Sequence, residues 1–145
     1  MSDSAAGSLG AAEAMFADDV ASRSLGIELD EVTSGGAVAR MRVTAQMVNG
    51  HDIAHGGYIF LLADTAFACA CNSHGPVTVA AGGDITFVTS ARLGDVLVAR
   101  ASERTRYGRN GIYDVTVTRE SPAGTEVIAE FRGRSRTIGP RPGAG

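Results

Sequence analysis

An aspartate in the middle of an apolar run needs a reason to be there. Asp64 is flanked by Leu61, Leu62, Ala63, Ala66, Phe67 and Ala68, inside a stretch from Tyr58 to Cys71 with almost nothing else polar. An unpaired carboxylate in such a setting costs roughly several kcal/mol, or its pKa rises until it is neutral. Chains keep such a group for a structural partner or for chemistry. Thr65 beside it is weaker evidence, because a helical Thr can bond back to its own carbonyls. The second chemical element is His55-Gly56-Gly57, immediately before the run. If the run is a helix, its first backbone N–H groups lack partners and sit at the positive end of the dipole. Two glycines leave those groups sterically open, so that an anionic oxygen, or a carbonyl becoming one, could bind there. The plainer alternatives are an Asp bonded to a neighbouring strand and glycines that only let a loop pack tightly.

Spacing sharpens the first reading. Gly57 and Asp64 are seven residues apart, roughly two helical turns and about 10 Å along the axis. A side chain as short as Asp cannot reach a group bound at its own helix N-terminus. If both act on one substrate, a second copy of the helix must lie antiparallel beside the first, which makes a two-fold dimer with two composite sites. Other chemistries fit less well. His51, Asp52 and His55 have some of the look of metal ligands, but the glycines that follow argue against a rigid set and no Cys or Glu completes it. There is no G-x-S-x-G elbow and no phosphate-binding Gly-Lys-Ser loop. No metal or cofactor is expected. Arg104 and Arg106 precede a Gly108-Arg109-Asn110-Gly111 turn, and Arg132, Arg134 and Arg136 alternate so as to share one strand face. Guanidinium groups suit a phosphate-rich ligand, although a solvated face that discourages edge pairing explains the strand arginines at least as well.

The elements that must position these groups are legible in outline. "LGAAEAMFADDVAS" (9–22) supports a short amphipathic helix after a polar, small-residue start at 1–8 that reads as flexible. Two short strands follow, over 27–33 and 37–43, turned at Ser34-Gly35-Gly36. A polar loop covers 44–55. The fourteen residues Tyr58 to Cys71, without Gly or Pro, read as a buried helix stopped by Asn72 to Pro76. Four β-like runs come next, at 77–89, 95–107, 111–120 and 125–137, with a flexible tail from 139. A helix that is apolar all round needs a surface that wraps it, and a curved antiparallel sheet of about six strands does so. The expected class is α+β: a hotdog fold in which the sheet wraps a long central helix, with one domain over 9–138.

Composition narrows the class further. At 145 residues with 44% hydrophobic content, the chain can bury a core without staples. A net charge of −3 argues against a general nucleic-acid binder. All 13 basic residues are Arg, which base composition explains. Cys69 and Cys71 point in different directions on a helix, so they read as buried thiols in a reducing compartment. No secretory leader and no span long enough for a membrane is seen, and a soluble, cytoplasmic protein is expected.

The segments "NGHDIAHGGYIFLLADTAFACACNS", "DITFVTSARLGDVLVARA" and "GIYDVTV" resemble the phenylacetate-pathway thioesterase (PaaI) family of hotdog proteins, over roughly residues 12–138. The resemblance implies metal-independent hydrolysis of an aryl- or acyl-coenzyme A, releasing the acid and free coenzyme A. It implies Asp64 as general base or nucleophile, and Gly56 with Gly57 as the N–H donors that polarise the thioester carbonyl. His55 would support that carbonyl and Asn49 would position the water or the carboxylate. Coenzyme A contacts would fall on Arg92 and on Arg106, Gly108, Arg109, Asn110 and Gly111, with Thr65 beside the site. Family members are typically tetramers of two dimers. A related branch carries a Ser on the third strand near the water, where this chain departs with Ala80-Ala81-Gly82-Gly83. The rival readings are a binding module that does not hydrolyse, a thioesterase for medium-chain aliphatic esters, a hydratase and a purely structural domain. His74, ten residues from Asp64, is poorly placed for hydratase chemistry.

Overall fold

The apolar run forms the greater part of α3 (Gly56–Asn72); ten of its seventeen residues are buried, and Gly57, Phe60, Leu61, Asp64 and Ala68 form one stripe that the rest of the chain leaves partly uncovered. The computed structural model describes residues 3–139, with side chains from Leu9 onward; of the flexible ends expected at 1–8 and 139–145, residues 1–2 and 140–145 lie outside the described residues, whereas 3–8 are helical rather than flexible. Ahead of α3 come α1 (Asp3–Ala17), α2 (Val20–Ser24), β1 (Glu28–Thr33) and β2 (Gly36–Arg42), and behind it β3 (Thr78–Phe87), β4 (Val96–Tyr107), β5 (Asn110–Ser121) and β6 (Gly124–Thr137). All neighbouring strands pair antiparallel in one sheet, in the order β1-β2-β4-β5-β6-β3. The hotdog arrangement expected from element order is the one observed.

Alternation puts Leu97, Ala99 and Ala101 of β4, and Tyr113, Val115 and Val117 of β5, on the face toward α3. Many of the inward residues are alanine, which lets the sheet lie close against the helix. At Gly133 even a methyl is too much: a Cβ there would stand 2.8 Å from the Phe67 ring. Phe67 fills that space and tilts against Tyr113 and Phe131 at centroid distances of 5.6 and 5.8 Å. Burial of this kind is the main contribution holding helix to sheet.

The N-terminal segment differs from the single helix expected over 9–22. It begins at Asp3 and breaks at Asp18-Asp19, where Asp19 caps α2 by accepting from the Ser22 backbone N–H. A capping carboxylate offers the backbone a better partner than helix continuation does. β3 is the second departure. It lies at the sheet edge, it shifts register between Ala80 and Gly82, and Val79 and Phe87 stand 42% and 50% exposed on or beside it. A ten-residue edge strand with apolar side chains is an unpaired template for another strand.

Candidate active site

The loop before α3 is held by its own polar groups. Asn49 Oδ1 accepts from His51 N at 2.8 Å and from Ile53 N at 3.3 Å, while Asn49 N donates to Ile53 O at 2.9 Å. Asp52 takes a φ of +60°, which an Asp tolerates because its short side chain can bond locally. Ala54 N donates to Ala91 O and His55 N to Met47 O, each at 2.8 Å. The loop therefore delivers the chain to His55, the N-cap, in extended geometry, and the exposed His55 side chain makes no capping bond. Tyr58 N is taken by His55 O at 3.1 Å, but the N–H groups of Gly56 and Gly57 have no acceptor among the described residues. Gly56 opens into a cleft of about 270 Å³ between the helix start and the end of β3, lined by Ile59, Phe87, Val88, Thr89 and Ser90. A Cβ on Gly56 would lie 2.6 Å from the Phe87 ring, whereas one on Gly57 would meet nothing within 4 Å.

Asp64 stands half-buried in the middle of α3, and no group among the described residues hydrogen-bonds to its carboxylate. Burial lifts its carboxyl above the ordinary aspartate range, and the Asp19 charge adds to that lift. The Gly56 cleft does not reach Asp64 within one chain. The separation of roughly 10 Å set by helix pitch stands between them. Thr65 is turned away from open solvent: it is 4% exposed, donates to Leu61 O at 2.8 Å and lies 2.8 Å from the Ser22 hydroxyl.

The residues put forward for coenzyme A divide into two groups. Arg92 is exposed beside the cleft, its neighbourhood pinned by the Ile53–Arg92 bridge and by its N–H to Asp95 Oδ2 at 2.8 Å. Arg106, Gly108, Arg109 and Asn110 instead line a small cavity of about 50 Å³ with His74 and Tyr113, at the other end of α3. Seventeen helical residues put that end about 25 Å from Gly56. Gly111 packs there without room for a side chain, 2.8 Å from Ser135 Oγ at its would-be Cβ. Of the alternating arginines, Arg132 forks onto Asp114 at 2.7 and 2.9 Å and Arg134 approaches Asp84 at 3.5 Å, so this face is laced by its own ion pairs.

Sequence reasoning missed three features. Asp19 and Ser22 reach the turn of α3 that carries Asp64; Asp-x-x-Ser is a capping signal, but nothing in it tells which helix it will lie against. Phe87 beside Gly56 is a contact across 31 positions, with no local trace. Glu103 is bonded by His74 Nε2 at 2.7 Å and by the Tyr113 hydroxyl at 2.8 Å. It was legible, since alternation with Leu97, Ala99 and Ala101 points it inward. Cys69 and Cys71 are free and buried, and burial pushes both thiols up to about 12.

Residues 51–125 match the family described as the thioesterase superfamily. The chain is 43% identical over 128 residues to the acyl-coenzyme A thioesterase PaaI of Escherichia coli, covering 88% of this chain and 89% of that one. The solved structure of the E. coli PaaI protein, from the phenylacetic acid degradation operon, superposes with a TM-score of 0.88 at 40% identity, over 95% of this chain and 98% of that one. A variant of the phenylacetic acid degradation protein PaaI from Thermus thermophilus matches with a TM-score of 0.77 at 32% identity, over 83% and 100%. A Streptococcus mutans protein solved with acetyl CoA bound matches at 0.73 and 25%, over 79% and 90%. This chain belongs to the thioesterase superfamily. It is a thioester hydrolase of the hotdog fold, similar along most of its length to the PaaI enzymes.

Proposed function

We propose that the protein hydrolyses an aryl-acyl-coenzyme A, of the phenylacetyl or hydroxyphenylacetyl type, to the free acid and coenzyme A. One observation carries this: two open N–H donors at the start of α3 and one partnerless carboxylate two turns along the same helix. The donors suit the oxygen of a thioester carbonyl, which gains negative charge as the carbonyl carbon is attacked. The carboxylate suits the attack itself. As general base, Asp64 takes a proton from water while the hydroxide adds to the carbonyl carbon. The oxyanion then collapses, the carbon–sulfur bond breaks, and the proton on Asp64 passes to the leaving thiolate. As nucleophile, Asp64 adds directly, expels the thiolate and leaves a mixed anhydride for water to open. Both routes need the ionised carboxylate. An environment that raises its pKa makes it the stronger base once ionised.

Donors and carboxylate come from different subunits of a two-fold dimer in this reading. The long, exposed, partly apolar edge of β3 supports a second copy pairing there, since it ends at Phe87 beside Gly56. His55 then supports the carbonyl and Asn49, whose Oδ1 is spent on the loop, has its amide N–H left for the water. Coenzyme A lies along Arg92 and the arginine-bearing β4–β5 turn of one or other subunit, and two dimers form the tetramer. No helix of the described residues is long and apolar enough to cross a membrane; two buried free thiols fit a reducing cytoplasm. The test is release of free coenzyme A from phenylacetyl-, hydroxyphenylacetyl-, benzoyl- and straight-chain acyl-coenzyme A. Turnover of an aryl ester that falls about 10³-fold or more in Asp64→Asn supports the proposal. Acyl-coenzyme A that binds and is not hydrolysed makes the protein a binding module instead.

A further inference from the structure

Asp64 has a neighbour of its own sign, and that neighbour is tied down. Both oxygens of Asp19 are occupied by Ser22, whose backbone N–H reaches Oδ1 at 2.9 Å and whose hydroxyl reaches Oδ2 at 2.6 Å. Ser22 is itself 1% exposed, and its hydroxyl lies 2.8 Å from that of Thr65, the residue after Asp64. Thr65 continues the line to Leu61 O at 2.8 Å. A carboxylate at the α1–α2 break is thus joined, through two buried hydroxyls, to the turn of α3 that carries Asp64. Helix capping alone does not call for this, because a cap needs only the backbone N–H.

The proton count along this line is informative. Three contacts run from Asp19 through Ser22 and Thr65 to Leu61 O, and the two hydroxyls supply two protons. An ionised Asp19 only accepts, so the line is one donor short. An amide at position 19 would close the count, giving Nδ2–H to the Ser22 hydroxyl while Oδ1 keeps the Ser22 N–H. Asp19→Asn therefore deletes the charge and keeps the tether.

We propose that Asp19 is a positioning residue whose charge, held against α3 by the Ser22–Thr65 hydroxyl line, opposes the negative charge on Asp64 and so weakens turnover on the acid limb. The link to catalysis rests on the reading of Asp64 given above. A fixed like charge makes the second ionisation harder, in addition to the larger effect of burial. The other ionisable groups on or beside α3 include Tyr58 on the helix itself, Arg23 of α2, which donates to Ala17 O at 2.7 Å, and Arg100 and Arg104 of β4 and Arg119 of β5, bonded to Thr118, Asp114 and Asp95. Cys69 and Cys71 on the helix itself hold neutral thiols up to about 12. The sheet turns Tyr113 and Glu103 inward, and both are bonded near His74 at the helix C-terminus. The charges of β1 and β2 point outward, with Arg40 on Asp30 at 3.0 Å. Those of β3 and β6 do likewise, and Glu13 and Asp18 are exposed.

The experiment is a carbon-13 NMR titration of the Asp64 carboxyl in the full-length protein, alongside the pH profile of kcat/KM for an aryl-acyl-coenzyme A. Wild type is compared with Asp19→Asn, Ser22→Ala and Asp18→Asn. Asp19→Asn is expected to move the Asp64 midpoint to lower pH and to raise the rate several-fold on the acid limb. Ser22→Ala, which removes the hydroxyl link to Thr65 and leaves only the backbone N–H on Asp19 Oδ1, moves it less, and Asp18→Asn leaves it in place. A midpoint unmoved by Asp19→Asn, or moved as far by Asp18→Asn, overturns the proposal. A midpoint that moves as expected in a protein without turnover upholds the charge coupling and sinks the hydrolase reading alone.

Discussion

The two ends of α3 are built on opposite plans. At the C-terminal end the described polar groups find partners. Asn72 donates to Ala68 O at 2.8 Å and to Thr78 O at 2.9 Å and accepts from Thr78 N at 3.0 Å. Ser73 bonds Ala70 O at 2.7 Å and takes Gly35 N at 2.8 Å. At the N-terminal end two N–H groups and, two turns on, a carboxylate are left without any. One helix, fully buried in its last turn and only partly covered in its first, is closed at one end and chemically open at the other. Unsatisfied polar groups are expensive in a folded chain, so where they cluster is where binding a substrate recovers the most free energy.

The largest effect that would break this contrast comes from closing the open end. Gly56→Val puts a branched side chain where a single Cβ would already stand 2.6 Å from Phe87. kcat/KM is expected to fall about 10²–10³-fold, the loss seen when one oxyanion donor is removed. Gly57→Ala, adding a methyl to open space, should cost far less; steady-state kinetics of the pair decides.

Opening the closed end gives a different signature. Asn72→Ala strands the Thr78 N–H and the Thr78 carbonyl, a loss of about 1–3 kcal/mol in stability. It should leave kcat/KM near wild type wherever the protein is folded. Urea unfolding read beside kinetics would expose any mixing of the two roles.

The smallest effect is in the pH dependence of stability, where the ends should show opposite signs. The Asp64 carboxyl is raised in the fold, so its ionisation costs stability as pH climbs from 3.8 through the raised value, and the cost persists at neutral pH. Asp64→Asn should therefore raise the thermal midpoint at pH 7 while abolishing activity. Glu103 is the reverse: burial alone would raise it, but His74, Tyr113 and Arg106 outweigh that and hold it below 4.5. Its stabilisation is complete above 4.5 and is lost as pH falls through the lower folded value. Glu103→Gln should therefore lower the midpoint at pH 7 and flatten its fall in acid.

Much of this architecture was legible because it is local. The uninterrupted run from Tyr58 marked α3, alternation marked β4 to β6, and the glycine turns marked the hairpins within a residue or two. Asp64 and Gly56-Gly57 stood out because each violates a local rule. What was not legible depends on contacts between distant segments. The break at Asp18-Asp19 and the Ser22–Thr65 bond exist only once α2 lies on α3. The placing of Arg92 and Arg109 at opposite ends of the helix follows from strand order, which composition does not encode. The bulge between Ala80 and Gly82 has no signal beyond small residues, which also suit a plain strand.

The claim at the centre is that donors and carboxylate act across a subunit boundary. It is tested most directly by co-refolding Asp64→Asn and Gly56→Val chains in equal amounts, each inactive alone. Random pairing makes half the dimers hybrid, and each hybrid regains one of its two sites, so about a quarter of wild-type activity should return. A mixture no more active than its two parents would show that Asp64 and Gly56 must share a chain, and would contradict the account.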